Sequence, residues 1–148
     1  MKRPLKVKKR KKRKKRSPRQ IIIDRLDTLF RDIVRTRDRY QCRKEGCPAN
    51  GNRMHAAHIW SRNNKIIRWE KDNGLTMCYY HHLLWSHRQP AEFTEWAKEQ
   101  IGEKRYYELR DISNQGVKTI TDEELLEIEQ KLIKELNEIK LEREEDPF

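Results

Sequence analysis

Every cysteine and every histidine of this chain falls between residues 42 and 87: Cys42, Cys47, His55, His58, Cys78, His81, His82 and His87. Thiolates and imidazoles are the ligands that soft and borderline metal ions prefer, and imidazole also moves protons near neutral pH. Two short hooks stand out. Cys42-x4-Cys47 wraps a turn containing Gly46, and Cys78-x2-His81 closes a second turn. Together they offer three thiolates and one imidazole, a set that fills the tetrahedral shell of Zn²⁺ and leaves no position for a substrate. Such an ion would be structural, and its binding energy would help fold a region short of apolar residues. His82, next to His81, competes for the fourth place. The plainer alternative is that the three cysteines are only small buried hydrophobes, but their paired spacing favours a metal.

A second constellation overlaps the first. It consists of His55-Ala56-Ala57-His58-Ile59, then Asp72-Asn73-Gly74-Leu75-Thr76-Met77, then Cys78 through His82. As chemistry it offers a histidine at the end of one short strand, an asparagine before a second, and a histidine on a following helix. Phosphodiester hydrolysis needs a base to activate water and a cation beside the phosphate and the leaving oxygen. A hairpin crossed by a helix can bring such groups together.

In their order, His58, Asn73 and His82 resemble the triad of HNH (ββα-metal) endonucleases. The flanking text, including Leu26–Arg39, Arg62, Arg68 and Pro90-x-x-Phe93-Thr94-Glu95-Trp96 through Gly102-Glu103-Lys104-Arg105, is similar to the phage NinG (Rap) recombination endonucleases. The resemblance spans about residues 21–112. It implies that His58 is the general base and His82 a ligand of a catalytic Mg²⁺ or Mn²⁺. Asn73 would either brace the loop that holds His58 or touch the ion. The products would be a 5′ phosphate and a 3′ hydroxyl, and branched recombination or replication intermediates would be the substrates. The chain departs from the family at Ala57, where many members place an Asp or His ligand directly before the base. His55 is the residue that could supply the missing ligand, or it could be an ordinary strand histidine. His87 and Asp72 are weaker candidates. The resemblance also implies phage or bacterial origin and a cytoplasmic setting.

The elements that must position these residues follow from periodicity and capping. Ser17 is placed to cap a helix with Pro18 at its first position and Gln20 completing a capping box. Ile22, Leu26, Leu29, Phe30, Ile33 and Val34 then recur at helical spacing to about Arg37. Arg39–Asn52 reads as a loop, Arg53–Ile59 as a strand, Trp60–Asn73 as a polar, basic loop and Leu75–Met77 as a second strand. Tyr79–His87 reads as a short helix. Pro90 opens another, with Phe93, Trp96 and Ala97 on one face, interrupted at Gly102 and resumed through Tyr106, Leu109 and Ile112. Thr121 and Glu124 form a capping box before a last helix striped by Leu125, Ile128, Leu132, Leu136 and Ile139. That stripe packs on the body or, as the other use open to it, pairs two chains into a homodimer. The expected fold is therefore α+β and mostly helical: a small ββα-metal core with a structural zinc, flanked by helices. The expected organisation is a disordered basic arm over 1–16, a catalytic body over 17–112 and an acidic amphipathic helix over 113–148.

Charge supports this division. The chain has 148 residues, 34% hydrophobic and 40% charged, and a net charge of +11. Residues 1–20 hold 13 Lys/Arg and no acid, whereas residues 122–148 hold 11 acids and 4 bases. A run such as Lys8, Lys9, Arg10, Lys11, Lys12, Arg13, Lys14, Lys15 and Arg16 repels itself and attracts polyanions, so DNA is the expected partner. The bland alternative is a solubilising tail. Arg62 and Arg68, in the loop between the halves of the site, are placed to grip phosphate. Trp60 and Trp69 are candidates to stack on bases, while Trp85 and Trp96 sit at core spacing. No apolar run is long enough for a membrane span, and the N-terminal run lacks the apolar stretch of a secretory signal. An odd number of cysteines with no such signal argues against a disulfide scaffold. The class that competes with a nuclease is a zinc-held DNA-binding module without catalysis. Such a module needs the hooks but has no use for His58 or His82.

Overall fold

A computed structural model describes residues 15–116 and 119–146. It is mostly helical with one small antiparallel sheet, in the order α1 (Pro18–Arg37), β1 (His55–His58), β2 (Gly74–Met77), a π-helical turn (Tyr80–Trp85), α2 (Ser86–Arg88), α3 (Pro90–Ile101), α4 (Glu103–Ser113) and α5 (Asp122–Glu145). The arm residues Lys8, Lys9, Arg10, Lys11, Lys12, Arg13 and Lys14 lie outside the described residues, while Lys15 and Arg16 lead into α1.

α1 starts where its caps dictate. The Ser17 hydroxyl accepts from the Gln20 backbone N–H, and Pro18 needs no acceptor at the first position. The reciprocal half of the expected box is diverted, because the Gln20 side chain reaches Asp24 instead. α5 has the full capping box between Thr121 and Glu124. Its stripe lies along α1: Leu125, Leu132 and Leu136 are buried with Ile23, Leu26, Phe30, Ile33 and Val34, joined by Trp69 and Ile120. A forked ion pair from Arg25 to Glu129, at 2.6 and 2.9 Å, spans the seam. The acidic helix is thus part of the body. Of the two uses open to the stripe, packing on the body is the one seen within the chain, where α1 covers it.

The hairpin sits between this helical pair and a second core. β1 and β2 pair His55 with Met77, Ala56 with Thr76, Ala57 with Leu75 and His58 with Gly74. Alternation sends Ala57, Leu75 and Met77 toward Cys42, Met54, Trp96 and Ala97. Ala56 faces the α1–α5 core instead. Asp38, whose side chain is fully buried, ties α1 to the sheet by accepting from the Thr76 N–H at 2.9 Å. Gly74 lets α1 close on the hairpin. A Cβ there would lie 2.5 Å from Phe30 Cζ and 2.8 Å from Val34 Cγ2, closer than packed carbons can approach.

The expected polar loop over 60–73 is more deeply embedded than its composition suggests. Ile67 and Trp69 are buried within it, and a 3₁₀ turn, Lys71–Asn73, delivers the chain into β2. Among the described residues, no helix is long and apolar enough to cross a membrane.

Candidate functional site

The two hooks meet. The ligand atoms of Cys42, Cys47, Cys78 and His81 all lie within 4.8 Å of one another. The loop after α1 forms the first hook: Cys42 N–H donates to Ala49 O at 2.9 Å, Cys47 N–H to Lys44 O at 3.0 Å, and Gly46 takes a positive φ of 71°. The entry to the π-helical turn forms the second, with the His81 N–H directed at Cys78 Sγ. A tetrahedral Zn²⁺ at ordinary bond lengths places two sulfurs about 3.8 Å apart, and a sulfur and a nitrogen about 3.6 Å apart. Cys47 Sγ and Cys78 Sγ are separated by 3.9 Å, and His81 Nδ1 lies 3.5 Å from Cys42 Sγ and 3.2 Å from Cys78 Sγ. The set therefore fits a metal such as zinc, and the sulfur separation is far too long for a disulfide. Burial, the largest influence on it, pushes the Cys42 thiol up to about 11. A bound cation would supply the charge that holds it as thiolate. Of the two adjacent histidines, His81 joins the cysteines and His82 turns away from them.

His82 belongs to a different site. Its Nδ1 lies 2.9 Å from His55 Nδ1, and the two rings meet at 90°. Two nitrogens bound cis on one octahedral ion at about 2.1 Å stand about 3 Å apart, so this pair can share a cation. The π-helical turn offsets the helix register and brings His87 beside His82, with ring centroids 6.0 Å apart. Burial first, then His55, His87 and His58 around it, push His82 down to about 4, which leaves it a neutral, ligand-ready imidazole at pH 7. Ala57, where the family pattern expects a ligand, is buried in the opposite core.

An open cleft of about 570 Å³ runs past His82 and is also lined by His58, His87, Arg31, Arg62 and Asp27. His58 is held there from two sides. Its ring stacks on Phe30, centroids 4.6 Å apart and planes 19° from parallel. Its Nε2 lies 2.9 Å from the Arg68 carbonyl oxygen. A carbonyl only accepts, so Nε2 must carry the proton, and the neutral ring keeps its lone pair on Nδ1. Burial is the main cause that lowers the His58 pKa below 6.5. Arg62 and Arg68 push the same way, against the Arg68 carbonyl bond and Asp27. The ring is therefore a neutral imidazole at pH 7.

Asp27 keeps that carbonyl in place. It accepts from Arg68 Nε at 2.9 Å, Arg68 Nη2 at 2.6 Å and Trp69 Nε1 at 2.9 Å. These bonds correct the expectation for Arg68. Its side chain is only 11% exposed and its guanidinium is committed to Asp27, so its contribution to the site is its backbone oxygen rather than a phosphate grip. Arg62 remains exposed at the cleft wall. Asn73 is fully buried, and all its side-chain bonds go to backbone: Oδ1 accepts from Trp60 N–H at 2.7 Å, and Nδ2 donates to Trp60 O and Ile67 O. Of the two roles open to it, bracing the loop is the one its position allows. Direct contact with an ion in the cleft is not. Asp72 is drawn off to Arg105 at 2.8 Å. Trp69 lies in the core and offers no stacking face, while Trp60 is half-buried and packs on Tyr106.

The sequence reading missed Asp27 and Phe30 as site residues and gave no role to Tyr79 and Tyr80. A signal for Asp27 existed, because at 23, 27, 30 and 34 a carboxylate falls on the apolar stripe of α1. Comparison of the chain with protein-family models, curated proteins and solved structures gives no match.

Proposed function

We propose that this chain is a metal-dependent endonuclease of the HNH (ββα-metal) kind that hydrolyses phosphodiester bonds in DNA. The observation that carries the reading is His58. It is a buried, neutral imidazole whose Nε2–H is fixed on a backbone carbonyl, in the same cleft as His82. In this scheme His58 Nδ1 takes the proton of a water attacking phosphorus. His55 and His82 would hold the divalent ion, which on binding stabilises the phosphate and the departing 3′ oxygen. Two nitrogen ligands, with Asp27 of the cleft already paired to Arg68, favour Mn²⁺ over Mg²⁺. Arg62 would meet phosphate at the cleft wall, and the basic arm would add sequence-independent attraction. The zinc set would hold the π-helical turn, and through it His82, against the hairpin. The family resemblance, which the comparisons leave without further support, contributes branched DNA as the preferred substrate and a phage recombination setting.

The test is cleavage of a DNA panel (linear duplex, single strand, flap, fork and four-way junction) by the zinc-loaded chain with Mg²⁺ or Mn²⁺, beside His58→Ala. Cleavage that the variant loses by at least a hundredfold, with DNA affinity and zinc content retained, is the expected result. Equal cutting by the variant removes His58 as the base. No cutting of any substrate, with binding intact, leaves a zinc-held DNA-binding protein.

A further inference from the structure

All four tryptophans are packed, yet two tyrosines beside the cleft are not. Tyr79 is 62% exposed and Tyr80 59%, and Leu83, one turn on, is 36% exposed. Exposing two adjacent aromatic rings to water is unfavourable unless something covers them. All three residues lie at or within the π-helical turn that carries His82, and Leu83 lines the same cleft as His58. Tyr79 meets the His55 ring edge to face at 6.2 Å, and Tyr80 meets His81 likewise at 5.2 Å. Neither ring has a parallel-stacked partner among the described residues.

What lies around this patch decides its occupant. The cleft it continues presents the exposed guanidiniums of Arg31 and Arg62. Its one carboxylate, Asp27, is neutralised by Arg68. A ligand that reaches both features must carry negative charge beside flat apolar rings. A nucleic-acid strand has this alternation of phosphate and base, but in a continuous duplex the base faces are already stacked and unavailable.

We infer that Tyr79, Tyr80 and Leu83 form a stacking surface for unpaired nucleobases of a DNA strand whose phosphates lie in the His58–His82 cleft. The inference rests on reading that cleft as a phosphodiester site. It gives the surface a selective role: the strand must offer free base faces next to the bond to be cut, which an intact duplex does only after unstacking. Aromatic platforms of this kind are tolerant of sequence, because every base has a π-face.

The experiment uses the full-length, zinc-loaded chain and DNA carrying 2-aminopurine, whose fluorescence falls on stacking. The fluorophore is placed in a single strand, in a one-base bulge and in a fully paired duplex. Binding is measured without added Mg²⁺ or Mn²⁺, so nothing is cut. Wild type is expected to quench the single-stranded and bulged probes and to leave the paired one unchanged. Tyr79→Leu combined with Tyr80→Leu keeps apolar volume but removes the π-faces. It should lose the quenching and about tenfold in affinity for both unpaired probes, with duplex affinity within twofold of wild type. Tyr79→Phe with Tyr80→Phe should behave as wild type. Tyr80 touches a zinc-site histidine, so zinc content is checked, and if the double variant loses zinc, Tyr79→Leu alone decides. Wild-type-like quenching and affinity in the Leu variant overturn the inference, as does an equal loss on duplex. An effect seen only on binding to another protein overturns it too. Cleavage by wild type on the same DNAs with Mn²⁺ is scored separately. Cutting without stacking rejects this surface alone, and stacking without cutting rejects the hydrolytic reading alone.

Discussion

Asn73→Ala is the perturbation that most directly separates a brace from a metal contact. The side chain is fully buried and closes three hydrogen bonds to backbone: from Trp60 N–H at 2.7 Å, to Trp60 O at 3.1 Å and to Ile67 O at 3.0 Å. Alanine removes all three and leaves those backbone groups without the partner that satisfied them. An ordinary intramolecular hydrogen bond contributes about 1 kcal/mol, and each orphaned buried group costs about 1–3 kcal/mol. Some groups will recover water, so the loss should be about 4 kcal/mol in total. For a chain of this length that is roughly a 12 °C fall in Tm. The assay is thermal unfolding at fixed zinc, followed by far-UV circular dichroism. Asn73→Asp supplies the complementary arm. It keeps an acceptor for Trp60 N–H but aims a carboxylate oxygen at two carbonyls, which disfavours the charged form and raises the new acid's pKa. A raised carboxyl is more protonated in the folded than in the unfolded chain. The Asp variant should therefore recover stability relative to wild type as pH falls from the raised folded-state pKa toward the normal Asp pKa of about 4, and gain nothing further below it. A Tm drop below about 3 °C for Asn73→Ala, with a changed Mn²⁺ concentration for half-maximal cleavage, would refute the bracing argument and return Asn73 to the ion.

Three further outcomes follow from the same geometry. Asp27→Asn should lower kcat by about tenfold or more while KM holds within about twofold, because Asp27 positions the Arg68 carbonyl that holds His58 and bonds Arg68 and Trp69 instead of the ring; the kinetic split checks it. The acid limb of kcat/KM should lie below pH 6.5, since burial lowers His58 and a residue in the proposed role of general base works when unprotonated. Activity should thus be level from pH 7 upward and fall on acidification, and Asp27→Asn, which removes an influence that raises His58, should move the limb to lower pH. Native mass spectrometry should find one tightly held zinc per chain, and Cys78→Ser should release it and unfold the hairpin side of the molecule, measured by loss of near-UV dichroism.

What could be read from the sequence was what depends on near neighbours. The capped starts of α1 and α5, both strands, the break at Gly102 and the two metal hooks rest on contacts a few residues apart, where propensity and spacing suffice. His58 and His82 share one cleft for the same reason, because a hairpin followed directly by a helical turn has few ways to fold. Arg68 was misread because its partner, Asp27, is 41 residues away on α1. From composition alone, an arginine in a basic loop looks free to take phosphate. The 60–73 loop was read as polar for a similar reason. Ile66, Ile67 and Trp69 form only a short apolar cluster there, with no periodicity to show that Ile67 and Trp69 reach back to the core.

The choice between His81 and His82 shows how local geometry settles what spacing cannot. Both lie within reach of the Cys78 corner, and a regular α-helix would point consecutive side chains about 100° apart without favouring either. Here the corner directs the His81 N–H at Cys78 Sγ, which commits His81 Nδ1 to the sulfur side. The π-helical turn that follows swings His82 to the opposite face, toward His55 and the cleft, and sets His87 beside it. Adjacent histidines on one turn thus face two different places, His81 the cysteine set that could hold a metal and His82 the cleft. This arrangement mechanically joins the zinc set to the proposed reacting centre: displacing His81 must also displace His82. A zinc-free chain that stayed folded and still cut DNA at the wild-type rate would be incompatible with that coupling.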